Sequence, residues 1–280
     1  MSGVGRFEVS PVLKIALSAL LAVATLVIIM RFSQTEILFP THAVPPAGPL
    51  LQGAQRLELE SADGNRLHGV HFKPSAIRDR GGTLILGFGG NAWNGQDVAE
   101  YLHNVFPNAH VVAFHYRGYS PSTGSPSAEA LMADAPLVRD LAVDLVKPEK
   151  TVAVGFSIGS GVAASLASKL DIDGLILVTP FDSLKLVAGD LFPWLPVGPL
   201  FQHEFATAEE LKDGDTPVAI IAGERDEIVL PARTAALRKQ APNLVFDRTI
   251  TGAGHNDIYS RDDFQQALRQ ALQSVISAMK

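Results

Sequence analysis

The chain contains no cysteine in its 280 residues, which excludes disulfide frameworks, thiolate metal sites and cysteine nucleophiles together. Charge is scarce too, at 19% of residues. A net charge of −6 and a pI near 5.7 argue against a nucleic-acid partner, which would need a clustered basic surface. No internal repeat and no long low-complexity tract appears in the body. What the chain has in excess is apolar: 47% hydrophobic residues and a mean hydropathy of +0.18, high for a purely soluble protein. The length suits one large domain, or one domain with an appendage.

Much of that excess lies at the front. Ile15 to Met30 are 16 residues without a charge, preceded by Pro11-Val12-Leu13 beyond Lys14. The run spans roughly 24 Å as a helix, and about 27–30 Å once Lys14 snorkels outward. That is enough for one tilted transmembrane helix. A cleaved secretory signal would use Arg6 and Lys14 as its basic region and cut after Ala22-Val23-Ala24. Against it, Thr25 to Met30 continue the apolar run where a signal should turn polar. Arg6 and Lys14 precede the run and only Arg31 closely follows, a bias toward a single-pass anchor with the body on the non-cytoplasmic side. The anchor is expected to occupy residues 1–31. A stiff, proline-rich linker follows at 32–50, and one domain at 51–280. Residues 1–31 carry +2, which leaves −8 on the remainder. Such a surface avoids anionic headgroups, so the helix, not surface charge, is what would hold the protein at a membrane.

The body alternates by period. Arg56–Glu60 and Arg66–Phe72 read as a hairpin across Asp63-Gly64. Short apolar runs follow at Thr83–Leu86, Val111–Phe114, Thr151–Val154, Leu175–Val178 and Val218–Ala222, with a last strand at Leu244–Ile250. Strands buried on both faces need such runs. Helical patterns separate them at Gln96–Val105, about Ser127–Val146, Gly159–Leu170 and Pro231–Gln240, and Asp262–Ala278 closes the chain. Ser125 is the expected cap of the second, with Pro126 in its first turn. An antiparallel opening followed by this alternation predicts an α/β fold with a mostly parallel sheet.

Gly155-Phe156-Ser157-Ile158-Gly159 follows one of those strands directly and opens the next helix, the context a G-x-S-x-G nucleophile elbow requires. Reading Gly159-x-Gly161-x-x-Ala164 as a dinucleotide fingerprint fails, because Asp171 and Asp173 come too early for the acidic residue that motif needs. A serine hydroxyl needs a base, and the base an orienting acid. The loop Gly252–Asp257 offers His255, expected on an exposed, mobile loop with little to pack against. The loop Gly223–Glu227 offers Asp226, with Glu224, Glu227 and Asp182 as competitors. An acyl-transfer oxyanion needs two backbone donors. Ile158 supplies one, and the glycine-rich loop Gly87–Ala92 is expected to supply the other. Phe181 to Phe205 is apolar and broken by prolines, and reads as a small cap able to accept an acyl chain or meet the bilayer. Phe88 and Trp194 are its candidate substrate contacts. His68 and His71 lie three apart on one strand and face opposite sides. His103, His110 and His115 lack partners at ligand spacing, so no metal and no cofactor is expected.

Six segments in order carry a more specific resemblance: Gly89–Asn94, Tyr116–Ser127, Gly155–Gly161, Thr179–Leu184, Gly223–Val229 and Gly252–Asp257. Together they resemble an α/β-hydrolase of the Bem46/ABHD12–13-like group over roughly residues 55–280. Members of that group often carry a single N-terminal membrane helix. The resemblance implies Ser157, Asp226 and His255 as catalytic triad, and Asn91 beside Ile158 as oxyanion donors. The group commonly has His-Gly-Asn where this chain has Gly89-Gly90-Asn91, and the missing histidine is not a triad member. Tyr116-Arg117-Gly118-Tyr119 is a further signature whose side chains are expected to brace the oxyanion loop. The expected function is therefore a serine hydrolase cleaving a small-molecule or lipid-derived ester or thioester through an acyl-enzyme. A serine peptidase or amidase would use the same residues, and a non-catalytic membrane-tethered binding protein is a third reading.

Overall fold

Alternation along the central strands decides which side chains each face of the sheet receives. In the computed structural model, which describes residues 10–75, 82–194 and 197–279, the strands are β1 (Ala54–Glu60), β2 (Arg66–Phe72), β3 (Thr83–Phe88), β4 (His110–Phe114), β5 (Lys150–Phe156), β6 (Gly174–Val178), β7 (Val218–Gly223) and β8 (Leu244–Ile250). Arg6, Glu8, Leu195 and Pro196 lie outside the described residues. The strands form one sheet in the order β1-β2-β4-β3-β5-β6-β7-β8. β1 and β2 make the expected antiparallel hairpin, with Ala54 opposite Phe72 and Glu60 opposite Arg66. β2 is antiparallel to β4, and every pairing from β4 through β8 is parallel.

The helices cover both faces. Leu84, Leu86, Ala153, Leu175, Leu177 and Ile220 pack toward one layer, formed by α3 (Ala128–Val146), α4 (Ile158–Lys169) and α8 (Pro231–Gln240). Ile85, Val152, Val154, Ile176, Val178 and Ile221 face α2 (Gly95–Val105) and α9 (Asp262–Ala278) on the other side. β3 lies between β4 and β5, so the chain leaves β3 toward one edge and β5 toward the other. That reversal opens a crevice at the carboxyl ends of β3 and β5, where α/β sheets hold their ligands. The cap comprises α5 (Leu184–Leu191) and α6 (Val197–Leu200), followed by α7 (Thr207–Leu211).

Two boundaries differ from expectation. α3 is capped by Ser127, whose hydroxyl accepts from Ala130 N–H at 3.0 Å, so Ser125 and Pro126 fall before the helix. The N-terminal helix α1 runs Pro11–Leu38 and does not stop near Phe32. Arg31 to Glu36 end the apolar run, but none of them breaks a helix. The terminator is Pro40, which disfavours helical backbone at Phe39. The segment expected as linker is therefore helical to Leu38 and then lies on the body, where Asn94 and Gln96 side chains donate to the carbonyls of Pro45 and Gly48. At 28 residues α1 is about 42 Å long, and none of its side chains is fully buried.

Candidate active site

β5 delivers its chain into α4 through a single residue. Ser157 has φ +52° and ψ −118°, a strained conformation for a residue with a side chain. The turn is so tight that a Cβ on Gly155 would lie 2.4 Å from Gly159 O, and one on Gly159 would lie 2.2 Å from Phe88 O. Both glycines are therefore steric requirements of the elbow. Ser157 N–H donates to Val178 O at 2.9 Å, which ties the turn to β6.

The loops after β7 and β8 meet this serine. His255 Nε2 is 3.0 Å from Ser157 Oγ, and His255 Nδ1 is 2.8 and 3.0 Å from the two Asp226 oxygens. Asp226 also accepts N–H bonds from Ile228 at 3.0 Å and Val229 at 2.8 Å, so its carboxylate is held from both sides. The competing acids are engaged elsewhere: Arg233 donates to Asp182 at 3.3 Å, Gly252 N–H to Glu224 at 2.7 Å, and His255 N–H to Glu227 at 3.4 Å. His255 is buried and not exposed as its sequence setting implies. The glycine-rich loop folds back over it, with Gly254 N–H fixed on Asp257 at 2.6 Å.

Ile158 and Asn91, the two expected backbone donors, line the same cavity as Ser157. Ile158 opens α4, so its N–H belongs to the first-turn donors that have no intrahelical acceptor. Asn91 lies on the loop after β3, beside the elbow. Tyr116 Oη donates to Gly89 O at 2.9 Å and Tyr119 Oη donates to Asn91 O, which turns those carbonyls away from the crevice. Burial holds both tyrosine hydroxyls above the ordinary phenol pKa of 10, so they remain donors. Arg117 instead ties the loop after β4 to α3 through Asp134, at 2.6 Å to each oxygen, and to the β1–β2 turn through Asp63 at 2.5 Å. The two tyrosines therefore hold the loop after β3, as expected from the sequence, whereas Arg117 holds its own loop to α3 and the hairpin turn.

A cavity of about 500 Å³ opens over Ser157 and His255. Its walls are apolar: Trp93 and Tyr259 on one side, Phe181, Leu184 and Val187 from the cap side, Ile228 and Val229 beyond Asp226. Tyr259 is half-buried, and desolvation of its phenol pushes the hydroxyl up to about 12; it shares a hydrogen bond with Thr179 at 3.2 Å. A second cavity of about 510 Å³ lies beside α7, lined by Asp171, Asp173, Glu209, Glu210 and their neighbours, and Ser157, Asp226 and His255 are not among its lining.

A family model described as the alpha/beta hydrolase fold matches residues 84–204. An uncharacterized protein of Mycobacterium tuberculosis, Rv2307c, is 31% identical over 252 residues, covering 87% of each chain. The chain belongs to the α/β-hydrolase fold family. Saccharomyces cerevisiae YNL320W, described as an uncharacterized membrane protein, is 33% identical over 172 residues, 58% of this chain and 60% of its own. Among solved structures, a Pyrococcus furiosus esterase superposes with a TM-score of 0.65 at 18% identity, over 84% of this chain and 97% of its own, a likeness of fold.

Within this hydrolase fold the two expected substrate contacts are displaced. Phe88 does not line the cavity: β3 extends two residues past its apolar run, and parity sends Phe88 with Leu84 and Leu86 into the core. Trp194 stands outside the cavity wall with 70% of its surface exposed. Trp93 and Tyr259, which pack on each other and on Phe156, form one aromatic wall, and Phe181 and Phe192 line the cavity from the cap side. Trp93 falls within a quoted motif, but only the fold brings Tyr259 beside it. Ile37 and Leu38 of α1 also line the cavity, a contribution no local pattern announces. The glycine at position 89 has a local cause. A Cβ there would lie 2.9 Å from Val98 and 3.2 Å from Trp93 O.

Proposed function

We propose that the chain is a membrane-anchored serine hydrolase that cleaves carboxylic esters or thioesters with an apolar acyl part. The observation that carries this reading is the alignment of Ser157, His255 and Asp226 at 3.0 and 2.8 Å on the floor of an apolar cavity. His255 Nε2 accepts the Ser157 proton as Oγ attacks the acyl carbonyl, and the new C–O bond places negative charge on the carbonyl oxygen. Asn91 and Ile158 N–H groups hold that charge, while Asp226 keeps Nδ1–H pointed at itself and stabilises the imidazolium. The imidazolium gives its proton to the departing alcohol or thiol, leaving Ser157 acylated. Water, deprotonated by His255, then releases the acid and restores the serine.

The cavity wall favours esters over peptides. Among the described residues that line it, His255 apart, none is ionisable and more acidic or basic than Tyr259, so none would pair with a peptide terminus or charged side chain. Membrane attachment is supported by α1, whose 20 residues from Pro11 to Met30 span about 30 Å. A cut after Ala24 would leave Leu26, Ile28 and Ile29 exposed on the mature chain. The positive-inside bias supports a body on the non-cytoplasmic side. The test is covalent labelling of the purified full chain by a fluorophosphonate, with aryl esters assayed in parallel. Wild type is expected to label and turn over, and Ser157→Ala to do neither, with kcat down about 10⁶-fold. Absence of labelling in wild type, or equal labelling of the variant, would sink the reading.

A further inference from the structure

The cap is stitched to the helix at a defined height. Gln202 Nε2 donates to Arg31 O at 2.7 Å, and Gln202 N–H donates to Gln34 Oε1 at 3.0 Å. Gln34 Nε2 donates to Leu200 O at 2.8 Å, and Thr35 Oγ1 pairs with His203 Nε2 at 2.8 Å. All four bonds fall on Arg31 to Thr35, the first residues beyond the apolar run. From Arg31 to Thr35 is about 6 Å along the helix axis, and each interfacial layer of a bilayer is about 5–7 Å deep. A membrane spanned by Pro11–Met30 thus has the cap at the level of its headgroups. One turn further on, Ile37 and Leu38 are already part of the cavity wall.

The cap presents an apolar edge at that level. Leu186, Leu191, Phe192 and Trp194 are exposed, and Leu191 and Phe192 also line the cavity, so the edge is continuous with the acyl site. Trp is the side chain most at home in the headgroup layer, and exposed contiguous apolar surface marks a binding face. The charges nearby are matched internally: Arg233 holds Asp182 at 3.3 Å and Asp190 at 3.1 Å, and Lys185 approaches Glu204 at 3.9 Å. Among the described residues, no Lys or Arg side chain lines the cavity to receive an anionic head.

We infer that the cap edge is immersed in the leaflet and forms, with the last turn of α1, an entrance through which a membrane-resident ester with an uncharged head passes its acyl chain directly into the cavity. This deepens the hydrolase reading and rests on it for the substrate, but not for the docking. α1 is then a wall of the site as well as a tether. The body's −8 charge makes the attachment hydrophobic, so salt leaves it unchanged.

The chain has two tryptophans, Trp93 and Trp194, so the edge can be read optically. The full chain is reconstituted in phosphatidylcholine vesicles carrying nitroxide lipids labelled either near the headgroup or deep in the chain. The emission lost on going from wild type to Trp194→Phe is expected to be quenched by the shallow label and spared by the deep one. A Trp194 component untouched by either label overturns the inference. The second arm compares a long-chain neutral monoacyl ester embedded in the vesicles with a water-soluble short-chain ester, for wild type and a Leu186→Ser/Trp194→Ser variant. The embedded-to-soluble rate ratio is expected to fall about tenfold, the scale of one large side chain losing its apolar surroundings. An unchanged ratio, including an equal loss on both esters, overturns it. Quenching needs no turnover, so a chain inert to fluorophosphonate removes the hydrolase reading while the docking is still decided by the label.

Discussion

A methyl group added at Gly159 would sit 2.2 Å from the carbonyl oxygen of Phe88, whereas one added at Gly189 or Gly198 would meet nothing within 4 Å. The first glycine is in the elbow under Ser157, the other two are in the cap helices α5 and α6. The same contrast runs through the polar atoms. Asp226 accepts from His255, Ile228 and Val229, and the carbonyls beside the oxyanion loop are held by Tyr116 and Tyr119. At the cap edge, by contrast, large apolar side chains stand in solvent. The floor is over-determined by its neighbours and leaves little freedom for substitution. The edge lacks the packing that would explain its composition from inside the chain, so its partner has to come from outside. The proposed function assigns chemistry to the first region and choice of substrate to the second.

The comparison breaks most sharply at Asp226. Asp226→Asn keeps an amide oxygen for the Ile228 and Val229 N–H groups, so the fold is expected to survive with a nearly unchanged Tm. It removes the charge that stabilises imidazolium and presents the wrong partner to Nδ1. The expected loss is about 10⁴-fold in kcat on every ester, soluble or embedded. A loss below about tenfold would move the acid to another residue and remove the floor's claim to the chemistry.

Tyr119→Phe separates support from chemistry within the floor. It deletes only the hydroxyl that fixes Asn91 O, leaving the ring packed in the core. The loop loses about one hydrogen bond's worth of orientation, on the order of 1 kcal/mol, so kcat is expected to fall about tenfold with KM little changed. A shift in KM alone would place Tyr119 in substrate binding and blur the division between the two regions.

The floor was largely legible in the sequence because its constraints are local. A tight elbow demands glycines at 155 and 159, and acid and base must follow strands, which short apolar runs reveal. Where parity or distance decides, the reading failed. Phe88 stands next to the oxyanion loop in sequence, but the two extra residues of β3 turn it inward. His255 lies among glycines that suggest exposure, yet those glycines let the loop close over it. The end of α1 was misplaced because hydropathy marks where a helix leaves an apolar medium, and only Pro40 marks where it stops. The residues beyond the apolar run include Ile37 and Leu38, the part of the site contributed by α1.

The smallest expected effect lies at the joint between these regions, on His203. It is buried, bonded through Nε2 to Thr35 and met edge-on by Phe39 at 5.4 Å between ring centroids, with Arg31 also acting on it. Its Nδ1 has no partner among the described residues, so a proton placed there would be buried without an acceptor. Burial first, and then the Arg31 charge, hold its pKa below the ordinary 6.5. Above that pH the imidazole is neutral whether the joint is closed or open, and contributes no pH dependence. Below it, the opened joint binds the proton more readily than the closed one, so acid progressively favours opening. The detergent-solubilised full chain is therefore expected to lose Tm on going from about pH 7.5 to about pH 5. His203→Gln, which can still pair with the Thr35 hydroxyl, is expected to lose less. The floor supplies the internal control, since labelling of Ser157 at neutral pH should be the same in both proteins. Equal acid sensitivity of the two melting curves would show that the joint between the cap and α1 does not sense pH through this histidine.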